Sequence, residues 1–143
     1  MLRLTQGGFS SLSKGKGKQR HLLILADERT RAVQVVRSAF QTRGWIVDTM
    51  DPTTEALGSI KRWLYDLVII QITQPDIGDF ALCEALRQRS RVPLLLIVSP
   101  AVSREIISAF HKGADAYVVE PFDLRELLAR AEALLRRAEK RLL

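Results

Sequence analysis

The residues of this 143-residue chain whose types could do chemistry recur at one kind of place, the end of a short apolar run. Asp27 and Glu28 follow Leu22 to Ala26, Gln71 follows Asp66 to Ile70, Ser99 follows Leu94 to Val98, and Glu120-Pro121 follow Ala116 to Val119. Two adjacent acids could hold a hydrated cation loosely, because magnesium prefers oxygen ligands shared among one or two carboxylates, water and phosphate. A carboxamide can donate and accept hydrogen bonds but is a poor nucleophile at neutral pH. Acids without a nucleophile, base and oxyanion donor in a supportable arrangement argue against an enzyme. His21 and His111 have no ligand spacing around them, so surface or helix-end roles are expected and no metal site. Cys83 is the only cysteine. It permits no internal disulfide, suits a reducing cytoplasm and reads as a small buried residue on a helix. Trp45 and Trp63 read as packing anchors, since no basic residues interleave with an aromatic series to make a stacking platform.

The elements that must position these residues follow from the apolar pattern. Leu22 to Ala26, Trp45 to Thr49, Asp66 to Ile70, Leu94 to Val98 and Ala116 to Val119 read as five strands. The first, third and fourth are continuously apolar, as expected of parallel strands buried on both faces. Helical stripes lie between them: Val33, Val36 and Phe40; Leu82 and Leu86; Ile106, Ile107 and Phe110. The last helix is the clearest, with Leu124, Leu127, Leu128, Ala131, Leu134 and Leu135 at three- and four-residue spacing and Asp123 as its N-cap. Gly44 and Gly113 each fall between a helical pattern and a strand, where a left-handed C-terminal cap is needed. Strict alternation of five strands and five helices predicts an open three-layer α/β sheet with right-handed crossovers. In such a sheet, function gathers beyond the carboxyl ends of the strands, where the singled-out residues fall.

The formal charge of +6 is concentrated at the start: Arg3, Lys14, Lys16, Lys18 and Arg20 precede the first acid, leaving 17 basic against 16 acidic residues in the rest. Residues 1–20 are rich in Gly, Ser and Lys and read as a flexible basic tail, with residues 21–143 as the one folded domain. A solvated extension is the expectation for the tail; contact with phosphates or an acidic partner is the alternative. A nearly neutral body offers no long basic face for nucleic acid. The apolar runs fall far short of the roughly 20 residues that span a bilayer, and the N-terminus has no secretory core segment, so a cytoplasmic protein is expected.

From residue 21 to about residue 140 the chain resembles the receiver domains of bacterial two-component response regulators. Tyr65-Asp66-Leu67-Val68-Ile69-Ile70-Gln71-Ile72-Thr73-Gln74-Pro75 resembles their third strand and following loop, and Gly113-Ala114-Asp115-Ala116-Tyr117-Val118-Val119-Glu120-Pro121-Phe122 resembles the segment ending in Lys-Pro-Phe. The continuation Asp123-Leu124-Arg125-Glu126-Leu127-Leu128-Ala129-Arg130 is similar to receivers of winged-helix, OmpR-type transcription regulators. The resemblance implies a flavodoxin-like (CheY-like) fold with five parallel strands in the order 2-1-3-4-5 and five helices. It also implies a phosphate-accepting pocket at Ala26, Asp27, Glu28, Gln71, Ser99, Glu120 and Pro121, with Ser99 and Tyr117 as the switch pair.

The departures from the family pattern fall on chemistry. One of two paired acids is replaced by Ala26, the acceptor aspartate by Gln71 and the lysine by Glu120. A neutral amide cannot form an acyl phosphate. Metal affinity is expected to be weak, with Asp27 and Glu28 at most holding a hydrated ion, and no cofactor is implied. Glu120 turns attraction for phosphate into repulsion of roughly 4 kcal/mol for unit charges about 4 Å apart at an effective dielectric near 20. Gln71 is expected to donate its amide to Asp27 or Glu120. With no incoming phosphate, Ser99 can equally be a strand-end hydroxyl bonded to backbone, and Tyr117 a partly buried packing residue.

The sequence thus points to an atypical receiver that signals by protein contacts without aspartate phosphorylation, as the N-terminal part of a transcription regulator or as a stand-alone adaptor. The rival is a small-molecule or nucleotide-binding module on the same fold, although Ala26-Asp27-Glu28-Arg29-Thr30 is a poor phosphate cradle. The family pairs receivers through the fourth helix, fifth strand and fifth helix. That implies a dimer surface at Ile106, Asp115, Glu126, Arg130 and Arg137, with Ile106 and Ala116 standing where charged partners are usual. DNA would be reached only through a domain outside these residues, and no membrane contact is expected.

Overall fold

The computed structural model describes residues 19–59, 65–73, 77–105 and 113–142. Trp63, Ile106, Ile107, Phe110 and His111 lie outside them, as do residues 1–18.

Strands β1 (His21–Leu25), β2 (Ile46–Met50), β3 (Leu67–Ile72), β4 (Leu94–Val98) and β5 (Ala116–Val119) form one parallel sheet in the order β2-β1-β3-β4-β5. Every residue of β3 and β4 is buried, because the strands lie in the middle of the sheet and carry apolar side chains on both faces. β2, at one margin, alternates instead: Ile46 and Asp48 are exposed and Val47 is buried.

Alternation along the strands sends successive side chains to opposite faces and so builds two cores. On one face Leu22, Ile24, Ile69 and Ile97 pack with Val33, Val36 and Phe40 of helix α1 (Arg31–Thr42) and Leu127, Leu128, Ala131 and Leu134 of helix α3 (Leu124–Leu142). On the other, Leu23, Leu25, Ile70 and Leu96 pack with Leu82, Cys83 and Leu86 of helix α2 (Ile77–Arg89). Trp45 is buried edge-to-face against Phe40, with ring centroids 5.1 Å apart.

The expectation of five helices needs correcting: the described residues contain three α-helices. Between β2 and β3, and between β4 and β5, they hold 3-10 turns at Thr54–Ser59 and Pro100–Glu105. The first turn carries Gly58, which disfavours a regular helix there. The Ile106, Ile107 and Phe110 stripe falls outside the described residues.

Helix ends explain several sequence signals. Asp123 Oδ1 accepts from Arg125 N at 2.9 Å, so the side chain caps α3. Gly44 (φ 89°) and Gly113 (φ 113°) adopt left-handed backbone after α1 and before β5. At Gly113 a Cβ would also lie 2.9 Å from the Arg87 side chain. That arginine clamps the amino-terminal end of the sheet. Its guanidinium donates to Gly113 O (2.8 and 3.1 Å), Ser90 O (3.1 Å), Val92 O (2.9 Å) and Asp115 Oδ2 (3.0 Å), and Leu94 N donates to the same Asp115 oxygen at 2.8 Å.

Candidate functional site

The carboxyl ends of β1, β3, β4 and β5 bring together most of the residues expected there, each by a definable route. Ala26 continues β1 as a buried residue, its N–H bonded to Met50 O at 2.9 Å. A longer acidic side chain is therefore missing from the floor of the site. Asp27 comes next and turns to its own loop. Oδ1 accepts from Arg29 N and Arg29 Nε, and Oδ2 accepts from Arg29 Nη2, all at 2.9 Å. The Arg29 guanidinium and N–H hold the Asp27 carboxyl well below its ordinary range, at about 2. Glu28 faces α1, where Arg37 Nη1 lies 3.6 Å from its Oε1. Among the described residues no group of three or more His, Cys, Asp or Glu side chains could hold a metal ion.

Gln71 is one of two buried polar residues among those described, 7% exposed, and sits in β3 opposite Ile97 of β4. A buried amide must find partners or lose its hydration without compensation. Its Nε2 donates to Glu120 Oε2 at 3.3 Å and to Thr30 Oγ1 at 3.5 Å. Of the two acceptors foreseen from the sequence, the amide thus takes Glu120, while Arg29 takes Asp27. The Gln71 side chain bridges the entrance of α1 to the end of β5. Glu120 is held in place by its N–H to Val98 O (2.8 Å) and precedes a cis peptide bond to Pro121.

Thr30 and Arg29 are participants that the sequence reading passed over. Thr30 Oγ1 caps α1 by accepting from Val33 N (3.4 Å), donates to Asp27 O (3.2 Å) and receives the Gln71 amide. A threonine just ahead of the Val33, Val36 and Phe40 stripe is the available signal for a cap. Arg29 had none beyond standing two residues from an acid.

The remaining expected residues divide. Ser99 lies at the rim, where its hydroxyl donates to Thr73 O at 3.0 Å, a backbone bond across the β3 and β4 ends. Tyr117 is half-buried against the second core. Of the surface expected to pair receivers, Asp115 is turned inward to Arg87 and Leu94 N, and Glu126 pairs with Arg130 one turn along α3 at 3.2 Å. Arg137 is exposed, and Ile106 lies outside the described residues. No helix among the described residues is long and apolar enough to cross a membrane.

The family described as response regulator receiver domain matches residues 23–132. The chain is 35% identical over 115 residues to the transcriptional activator protein PfeR of Pseudomonas aeruginosa, covering 80% of this chain and 38% of PfeR. It is 32% identical over 116 residues to the response regulator ArlR of Staphylococcus aureus, covering 81% and 52% respectively. It spans about half or less of the length of these relatives. Among solved structures, the receiver domain of the TMAO respiratory system response regulator TorR superposes with a TM-score of 0.71 at 32% identity, over 82% of this chain and 98% of that one.

Proposed function

The chain belongs to the response regulator receiver domain family, and from that premise we propose that it is an atypical receiver, signalling through protein contacts without phosphorylation of its pocket. The observation that carries this reading is the placement of Gln71. The acceptor position of the family's third strand holds a buried neutral amide, and its N–H groups are engaged by Glu120 and Thr30. An amide offers no carboxylate oxygen to attack a phosphoryl group, and Glu120 sets a negative charge where an entering phosphate needs a positive one. The two acids that remain after β1 are already served by Arg29 and Arg37. Both would have to be displaced before a cation gained their oxygens.

PfeR is a transcriptional activator by name and about two and a half times as long as the matched segment. On that ground we place this receiver, residues 21–143 behind the basic tail of residues 1–20, in a transcription regulator. Any DNA contact would then belong to another domain. The receiver acts in the cytoplasm as a signalling module and carries no catalytic residue of its own. Its partner is a protein or a second copy, met through the surface of β5 and α3 together with the segment holding Ile106. Glu126, Arg130 and Arg137 supply the charged rim of that surface, and Asp115 supports it from beneath.

Treatment with acetyl phosphate and magnesium, followed by intact-mass measurement, tests the central claim. The expected mass is unchanged, while a typical receiver treated alongside gains one phosphoryl group. A stoichiometric adduct on this domain overturns the reading.

A further inference from the structure

Glu120 belongs to a second feature besides the pocket. Together with Arg31 at the start of α1, it lines a cleft of about 560 Å³ between α1 and the β5–α3 connection, whose walls include Val35, Pro100, Phe122 and Leu124. A second hollow of about 530 Å³ shares Arg31, Val35 and Leu124 and extends the cleft down α1 toward Arg43. Each is of the size that holds a small organic ligand, a few hundred cubic ångströms. Val35 is among the few exposed large apolar residues of the described chain, at 38%.

The charges of the cleft are open to a ligand: Arg31 is exposed to solvent and Glu120 is partly so. Among the described residues Gln71 is the only hydrogen-bond partner of the Glu120 carboxylate, and the Arg31 guanidinium has no hydrogen bond or ion pair. Glu120 and Arg31 line the same cleft without pairing with each other. An apolar hollow carrying one free carboxylate oxygen and one free guanidinium is complementary to a molecule with an apolar body, a cationic nitrogen and an anionic group. Such a molecule can bridge two charges that do not meet directly.

We propose that this cleft is a binding site for a small amphoteric ligand, its cationic nitrogen on Glu120, its anionic group on Arg31 and its apolar body against Val35, Phe122 and Leu124. The ligand draws on the carboxylate that Gln71 holds. Occupancy of the cleft is therefore coupled to the bridge between α1 and β5, and biases the receiver as far as its affinity differs between the two arrangements. The inference rests on the reading that phosphate does not enter here and supplies the input that reading lacks.

The test is a series of ¹H–¹⁵N spectra of the full chain titrated with three probes of similar size: L-phenylalanine, phenethylamine and 3-phenylpropionate. L-Phenylalanine is expected to shift the amides of Val35, Phe122 and Leu124 saturably, and to bind roughly 5-fold tighter than either singly charged probe, the gain of one exposed ion pair. Glu120→Gln should remove its advantage over 3-phenylpropionate, and Arg31→Gln its advantage over phenethylamine. Both side chains lie at the surface, and each variant's spectrum reports its own folding. Absence of saturable shifts, equal affinity for the three probes, or unchanged preferences in both variants overturns the proposal. So does a response confined to an added amphipathic helical peptide, which reassigns the cleft to a protein. A phosphoryl adduct would sink the phosphorylation-independent reading while leaving these titrations standing, and flat titrations would do the reverse.

Discussion

The two ends of the sheet use their polar side chains differently. At the amino-terminal end, Arg87 and Asp115 make a closed set of bonds of 2.8–3.1 Å, most of them to backbone carbonyls and an N–H that the strands leave unpaired. At the carboxyl end, Gln71 reaches its partners at 3.3 and 3.5 Å, and Asp27 is served by an arginine from its own loop. Short bonds to backbone groups that have no other partner mark residues whose removal costs folding. Longer bonds from a buried amide to other side chains, such as those of Gln71, mark a place where the fold tolerates change. By this contrast the amino-terminal end is built for stability and the carboxyl end is the more open to substitution.

Substitutions can break or sharpen that contrast. The largest effect is expected from Asp115→Ala, which strands Leu94 N and Arg87 in a half-buried setting and should cost about 1–3 kcal/mol in urea unfolding. A loss below that range would remove Asp115 from the structural end and return it to the dimer surface. Gln71→Leu should change stability by less, within about 1 kcal/mol, because an apolar side chain of similar size suits the buried site while Thr30 and Glu120 keep access to water. A loss as large as that of Asp115→Ala would make the amide bridge a structural strut and erase the distinction.

The smallest effect belongs to Arg29→Ala. The Arg29–Asp27 pair is exposed, so no measurable stability should be lost. The Asp27 carboxyl, held at about 2 by Arg29, should titrate closer to the ordinary carboxylate range in the variant when followed by ¹³C NMR. By linkage a depressed carboxyl favours the fold above its unfolded pKa and loses that contribution as pH falls from about 4 toward 2, but solvent screening of this exposed pair keeps it too small to register in unfolding. A titration midpoint unmoved in the variant would mean that the loop backbone, and not the guanidinium, sets it.

Much of this fold was readable from the chain because burial on both faces forces a composition. Leu22 to Leu25, Leu67 to Ile70 and Leu94 to Val98 admit no polar residue, and all three lie at the centre of the sheet. The α3 stripe and its Asp123 cap were equally plain. The segment between β2 and β3 was not, because its apolar pattern is too short to specify a helix and Gly58 interrupts it. At the candidate site, strand ends could be located by counting. Which acceptor Gln71 chooses, that Arg29 claims Asp27, and that Asp115 turns to Arg87 depend on directions that only tertiary packing sets. Asp115 is the instructive case. Likeness to the family places it on a surface for pairing receivers, while in the fold the N–H of Leu94 lies 2.8 Å from its carboxylate.

β5 has only four residues and is followed after Glu120 by Pro121, which has no N–H to give. A margin so brief, closed by a residue that cannot extend a ladder, offers little template for a stray strand. An incoming chain would find at most a few main-chain groups to join before the pairing stopped. Self-association by strand addition, with the aggregation it invites, is blunted on that side of the molecule, leaving side chains to decide what may dock there.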